Sequence, residues 1–318
     1  MAIKLRKKAI FFTFIAISLA ALLLFSYYSY TEYRLSNKMS VIETRVDTIN
    51  HFIKNIEIDL NKGLYISSFR TILALEEFIV KDGNFLDNVT IRFREAMING
   101  TVNGSSVSLI EDASFTDWGK KIQGEALKVG IIMNFSINNL EIYQTNPWAV
   151  EVNASVTLNI SDVKNTARWM KNYSLKTTVP IADLEDPVYA VYSYGRVANK
   201  IRLSPYKDDL DNTVNLKMHI NGSYYIESAN GPSFLMRLEG NLNSSPSGIE
   251  SIVNKNRFVA QGLSTKTKSF VDYIYFSNVS TSHCQVNETK EDESYNWFRI
   301  DSGTEPYDHR DDYSVVCG

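Results

Sequence analysis

Side chains able to do chemistry are few in this chain. There are four histidines, His51, His219, His283 and His309, and two cysteines, Cys284 and Cys317. The run Asp308-His309-Arg310-Asp311-Asp312 offers carboxylates and one imidazole to a hard cation, but it lacks the spaced acidic ligands and central glycine of a calcium loop. A solvated charged turn is the expectation there. His283, Cys284 and Cys317 contain no Cys-x-x-Cys pair, so a metal site on them is not expected. A disulfide between Cys284 and Cys317 is expected instead, with free buried thiols as the alternative. It would close a loop of about 33 residues, worth on the order of 3 to 4 kcal/mol in the chain-entropy account. No nucleophile elbow, phosphate-binding loop, dinucleotide-binding turn or His-Glu-x-x-His pair occurs. Ser, His and Asp are all present, at separations that neither support nor exclude a triad. No catalytic residue, cofactor or metal ligand is assigned, and an enzyme is not the expected class.

A different chemistry is abundant. Asn-x-Ser/Thr sequences begin at Asn88, Asn99, Asn103, Asn134, Asn153, Asn159, Asn172, Asn221, Asn243, Asn278 and Asn287, eleven in all, with none before residue 88. For 28 Asn and 51 Ser plus Thr in 318 residues, composition alone gives about 4.5. The excess points to a glycosylated ectodomain, although Asn-Gly-Ser/Thr at Asn99, Asn103 and Asn221 would be turns in any protein.

The N-terminus supplies the element that would place those sites outside a cell. A basic head over residues 1–8 (Lys4, Arg6, Lys7, Lys8) precedes the uncharged apolar residues 9–30. Twenty-two residues at about 1.5 Å each cross roughly 30 Å of hydrocarbon. Tyr27, Tyr28, Tyr30 and Tyr33 suit the headgroup layer at the far end, and the basic head puts the N-terminus in the cytoplasm. A cleaved secretory signal is the competing reading; Ser18, Ala20 and Ala21 are small, but the apolar run continues past them. Over residues 31–62, Leu35, Met39, Ile42, Val46, Ile49, Ile53, Ile56 and Leu60 alternate spacings of four and three. That heptad predicts a helical stalk whose stripe, within residues 35–60, either self-associates as a coiled coil or packs on its own folded domain.

Beyond the stalk the period is first helical and then alternating. Gly63 is a possible break, and helices are predicted over 64–81, 85–98 and 116–129, making residues 63–130 the helical part of the ectodomain. The first of these spaces Phe69, Ile72, Leu73, Glu76, Ile79 and Val80 to bury one face; the third has Trp118, Ile122 and Leu127 apolar. Residues 131–318 read as β-rich. Strands over 131–143, 148–160 and 168–180 predict an antiparallel meander with one wet face, and Asn153 and Asn159 both fall on that face. Further on, the patterns suggest a helix over 192–201, a hairpin from Thr213 (a helix over 208–218 being the alternative), a helix over 232–239 and another over 248–254. Strands are expected over 270–276, 296–300 and 313–316.

The fold class is thus α+β: an N-terminal transmembrane helix continuing into a long amphipathic stalk, then helices packed on a β-meander. Net charge is −3 overall and −7 beyond residue 30, which argues against a nucleic-acid partner. The order of basic head, apolar helix, amphipathic helix and meander resembles type IV pilin-like surface proteins, whose apolar helices bundle in a filament core. On that resemblance Lys7-Lys8-Ala9-Ile10 is the processing site, with the cut between Ala9 and Ile10. The fifth residue after the cut is Phe14, where many pilins carry an acid, and no glycine follows the head. Segments 184–189, 232–239 and 248–254 are also similar to archaeal membrane-anchored surface proteins, a likeness that implies no activity. The expected protein is a single-pass, membrane-anchored extracellular glycoprotein with a structural or adhesive role. A pilin-like subunit is the alternative, and a surface enzyme or ligand-binding module the second.

Overall fold

A computed structural model describes residues 2–164, 167–304 and 306–318, with side chains from Ile10 onward. Met1 and the side chains of the basic head and of Ala9 lie outside the described residues. Helix α1 (Ala2–Asp82) joins anchor, stalk and the first helix of the folded part into one rod of 81 residues. Gly63 does not break it. A Cβ at Gly63 would lie 2.6 Å from the Trp118 indole, so the glycine is where a neighbouring helix touches the rod. The stop expected at Asp82-Gly83 is real: Gly83 takes a left-handed φ of 74° and its N–H donates to the Ile79 carbonyl.

Helix α2 (Val89–Asn99) is capped by the Asn88 side chain and closed by left-handed Gly100. A two-residue hairpin, β1 (Thr101–Val102) and β2 (Ser105–Ser106), leads to α3 (Phe115–Lys128), where Ser114 accepts from the Asp117 N–H and donates back to its carboxylate. In α3, Leu127 is exposed. Strands β3 (Ile131–Asn146), β4 (Ala149–Asp162) and β5 (Arg168–Pro180) form the expected antiparallel meander with β4 central. Along β4 burial alternates strictly, with Val150, Val152, Ala154, Val156, Leu158 and Ile160 inward. These pack with Ile56, Leu60, Leu64, Ile72, Leu75 and Ile79 of α1 and Phe93 and Met97 of α2 in one core.

After Pro180 the chain is not β-rich. It passes through α4 (Pro187–Tyr192), α5 (Thr213–Gly222), β6 (Tyr225–Glu227), α6 (Phe234–Leu238), β7 (Ile249–Ser251), α7 (Lys255–Ala260), α8 (Asp272–Phe276), β8 (His283–Gln285), α9 (Asn287–Lys290) and β9 (Arg299–Asp301). Among the described residues these strands form two-stranded sheets, β6 with β7 and β8 with β9, and Tyr225 of β6 also bridges Leu203. Several expectations fail here for identifiable reasons. The hairpin from Thr213 is helix α5, because Asn212 caps Val214 and Asn215, and Leu216 and Ile220 bury one helical face while Val214 and Met218 stay outside. The helix expected over 192–201 does not form: the Asp186 cap and Pro187 start α4 earlier, it ends at Tyr192, and residues 193–201 are turn and extended chain. Residues 248–254 form β7 rather than a helix, and 270–276 form α8 rather than a strand. Residues 270–276 are all buried, so their apolar run carries no period to tell the two apart. Residues 313–316 make no strand; the tail is held by an isolated bridge between Val286 and Cys317.

Candidate functional site

Where α1 leaves the folded part its apolar surface is bare. Its most apolar stretch has a mean hydropathy of 2.3 and none of it is buried, which is compatible with membrane anchoring. The heptad stripe divides: Leu35, Met39 and Ile42 are exposed, Val46 and Ile53 are half-buried, and Ile49, Ile56 and Leu60 are buried under the protein's own sheet and helices. The C-terminal half of the stripe is therefore intramolecular core, and only its first part is open to a partner.

The sequon asparagines all lie on accessible surface. Nine are exposed, and Asn153 and Asn159, on the outer face of β4, are half-buried. Asn134 pairs directly with Asn159, and Asn172 pairs with Thr157, which places Asn134, Asn153, Asn159 and Asn172 on one side of the sheet, away from α1. Cys284 and Cys317 are joined by the expected disulfide, Cα atoms 5.5 Å apart, which ties the C-terminus to β8.

The densest chemistry lies in the last third and was missed from the sequence. Arg237 on α6 is fully buried; its Nη1 donates to Asp186 Oδ2 at 2.6 Å and Asp272 Oδ2 at 2.9 Å, and its Nη2 donates to the Ile249 carbonyl. Tyr225 donates to the same Asp186 oxygen at 2.7 Å, and Ser251 donates to Asp272 at 2.8 Å. Burial works against the charge on Arg237, and the two carboxylates overcome it, so the guanidinium stays charged. Burial pushes Asp272 up despite Arg237.

One residue along β7 from Ser251, Glu250 faces His309, with Oε2 3.2 Å from the imidazole Nε2. The other ring nitrogen, Nδ1, lies 2.6 Å from Asp301 Oδ2, and the Ser269 hydroxyl donates to the second Asp301 oxygen at 2.7 Å. The Tyr273 hydroxyl is 2.8 Å from Nε2. His309 is fully buried, so the charged turn at 308–312 is not wholly solvated: Asp308 and Arg310 pair beside it at the surface while the imidazole points inward. Burial opposes its charge, but Glu250 and Asp301 raise its pKa to about 11. Of the remaining histidines, His219 is buried with Nδ1 2.9 Å from the Ser204 hydroxyl, and His51 and His283 are exposed.

A sequence signal for this cluster existed. Arg237, Glu250 and Asp272 are single charges inside apolar runs, Phe234-Leu235-Met236-Arg237-Leu238, Ile249-Glu250-Ser251-Ile252-Val253 and Phe270-Val271-Asp272-Tyr273-Ile274. A lone charge in such a run must be paired if the run is core. Comparisons with protein-family models, curated proteins and solved structures find no match. What the cluster can do follows from its own atoms: it locks α4, α6, β7 and α8 together through Arg237, and it gathers carboxylates around one imidazole at the C-terminal end.

Proposed function

We propose that this chain is a single-pass, membrane-anchored extracellular glycoprotein with a structural or adhesive role. Its rod crosses the bilayer with the N-terminus inside and holds the folded part outside. One observation carries the reading: a continuous helix whose apolar residues 10–30 are all exposed while its last third contributes Ile56, Leu60, Leu64, Ile72, Leu75 and Ile79 to the core. Accessible sequons and a disulfide in the same folded part support the outer compartment. Protease added to intact cells should digest the chain beyond residue 31, and alkaline carbonate should leave the full-length protein in the membrane pellet. Release into the wash, or protection of the folded part, overturns the proposal.

The exposed Leu35, Met39 and Ile42 favour a second reading, a pilin-like subunit cut between Ala9 and Ile10 whose rods self-associate. N-terminal sequencing that begins at Ile10 supports it, whereas an intact basic head returns the protein to the static anchor.

A further inference from the structure

We propose that Glu250, His309 and Asp312 bind one divalent transition-metal cation of the zinc class. The donor atoms of the three residues lie within 4.8 Å of one another, close enough for one ion to touch them all. Two further observations point the same way. His309 is held as metal-bound histidines are: Nδ1 is anchored on the Asp301 carboxylate, itself fixed by Ser269, and Nε2 lies 3.2 Å from Glu250 Oε2 with the Tyr273 hydroxyl 2.8 Å away. Glu250 is fully buried, yet neither of its carboxylate oxygens receives a well-aligned hydrogen bond, although His309 and the Tyr313 hydroxyl lie against it. A buried carboxylate in that condition is costly, and a cation relieves the cost.

The donor set selects the ion. An imidazole nitrogen with two carboxylates suits zinc, manganese or iron, whereas calcium takes six to eight oxygens and magnesium keeps its waters. Three protein donors leave positions for water, and Asp312, at the surface, opens the site to solvent. The ion would bond β7 to the C-terminal segment, whose end the disulfide at Cys317 ties to β8. This site is independent of the anchoring proposal and stands or falls without it.

The test uses the full-length chain in detergent, equilibrated with zinc chloride and desalted. One equivalent of zinc should be retained, and added zinc should raise the melting temperature. Glu250→Gln and His309→Gln should abolish retention, and Asp301→Asn should weaken it by about 10- to 100-fold. Because buried variants can fail to fold, Asp312→Asn decides: it should keep the wild-type near-UV spectrum without metal and lose at least about tenfold in zinc affinity. The proposal is overturned if the wild type retains no zinc, if Asp312→Asn and His309→Gln bind as the wild type does, or if equimolar calcium displaces the zinc.

Discussion

Up to residue 180 the buried side chains are mostly apolar, with Ser67, Ser68, Thr71 and Ser114 the uncharged polar ones and Glu76 and Asp162 the two carboxylates among the described buried residues. Beyond it, Asp186, Arg237, Glu250, Asp272, Asp301, His219 and His309 are all buried. The first region has long elements whose faces meet by periodicity. The second has helices of four to ten residues and three-residue strands, too short to specify their own partners, and charged side chains connect them instead. Fold specificity rests on apolar periodicity in one region, and on buried ion pairs in the other.

The sharpest way to break this contrast is Arg237→Met. It leaves Asp186 and Asp272 buried without their cation, and a loss of about 3 to 5 kcal/mol is expected in urea unfolding followed by Trp297 fluorescence. Adding Asp186→Asn and Asp272→Asn should recover most of the loss. Recovery by neutral partners would show that the cluster supplies pairing rather than net stability.

Acid should separate the regions next. Burial lowers the His219 pKa from 6.5 to about 4, so below pH 6.5 the unfolded chain takes up a proton that the native imidazole refuses. Stability is full above that value and falls as pH drops towards 4, by about 3 kcal/mol in all. Hydrogen exchange should report the loss around α5 and leave the sheet protected, and His219→Gln should flatten this component. Equal loss in both regions would remove the distinction.

The smallest expected effect tests the dry region. Gly63→Ala drives a methyl group into the Trp118 indole, which is stacked on Phe115 with 5.5 Å between ring centroids and cannot swing aside freely. Overpacking costs about 1 to 3 kcal/mol, against up to about 1 gained in helix propensity. Calorimetry should show a modest fall in melting temperature, and a rise would mean that the helices separate easily.

The same division explains what the sequence revealed. The meander was legible to within a few residues because β4 alternates along its whole length, and Glu76 was legible as an inward position from spacing alone. The stalk stripe was legible too, but not its split, since the repeat is blind to whether Ile49 meets another rod or its own sheet. The cluster around Arg237 and His309 joins residues up to 62 positions apart, as in Tyr189 to Ser251, and no local period encodes such a meeting.

Residues 32–44 of α1 are exposed throughout, form unbroken helix, and span about 20 Å. Were the preceding stretch in a bilayer, that length would set a fixed clearance between the headgroups and the sheet of β3, β4 and β5. Any lean of the lipid-embedded end is then delivered undiminished to the far end, like a mast that carries the roll of its hull.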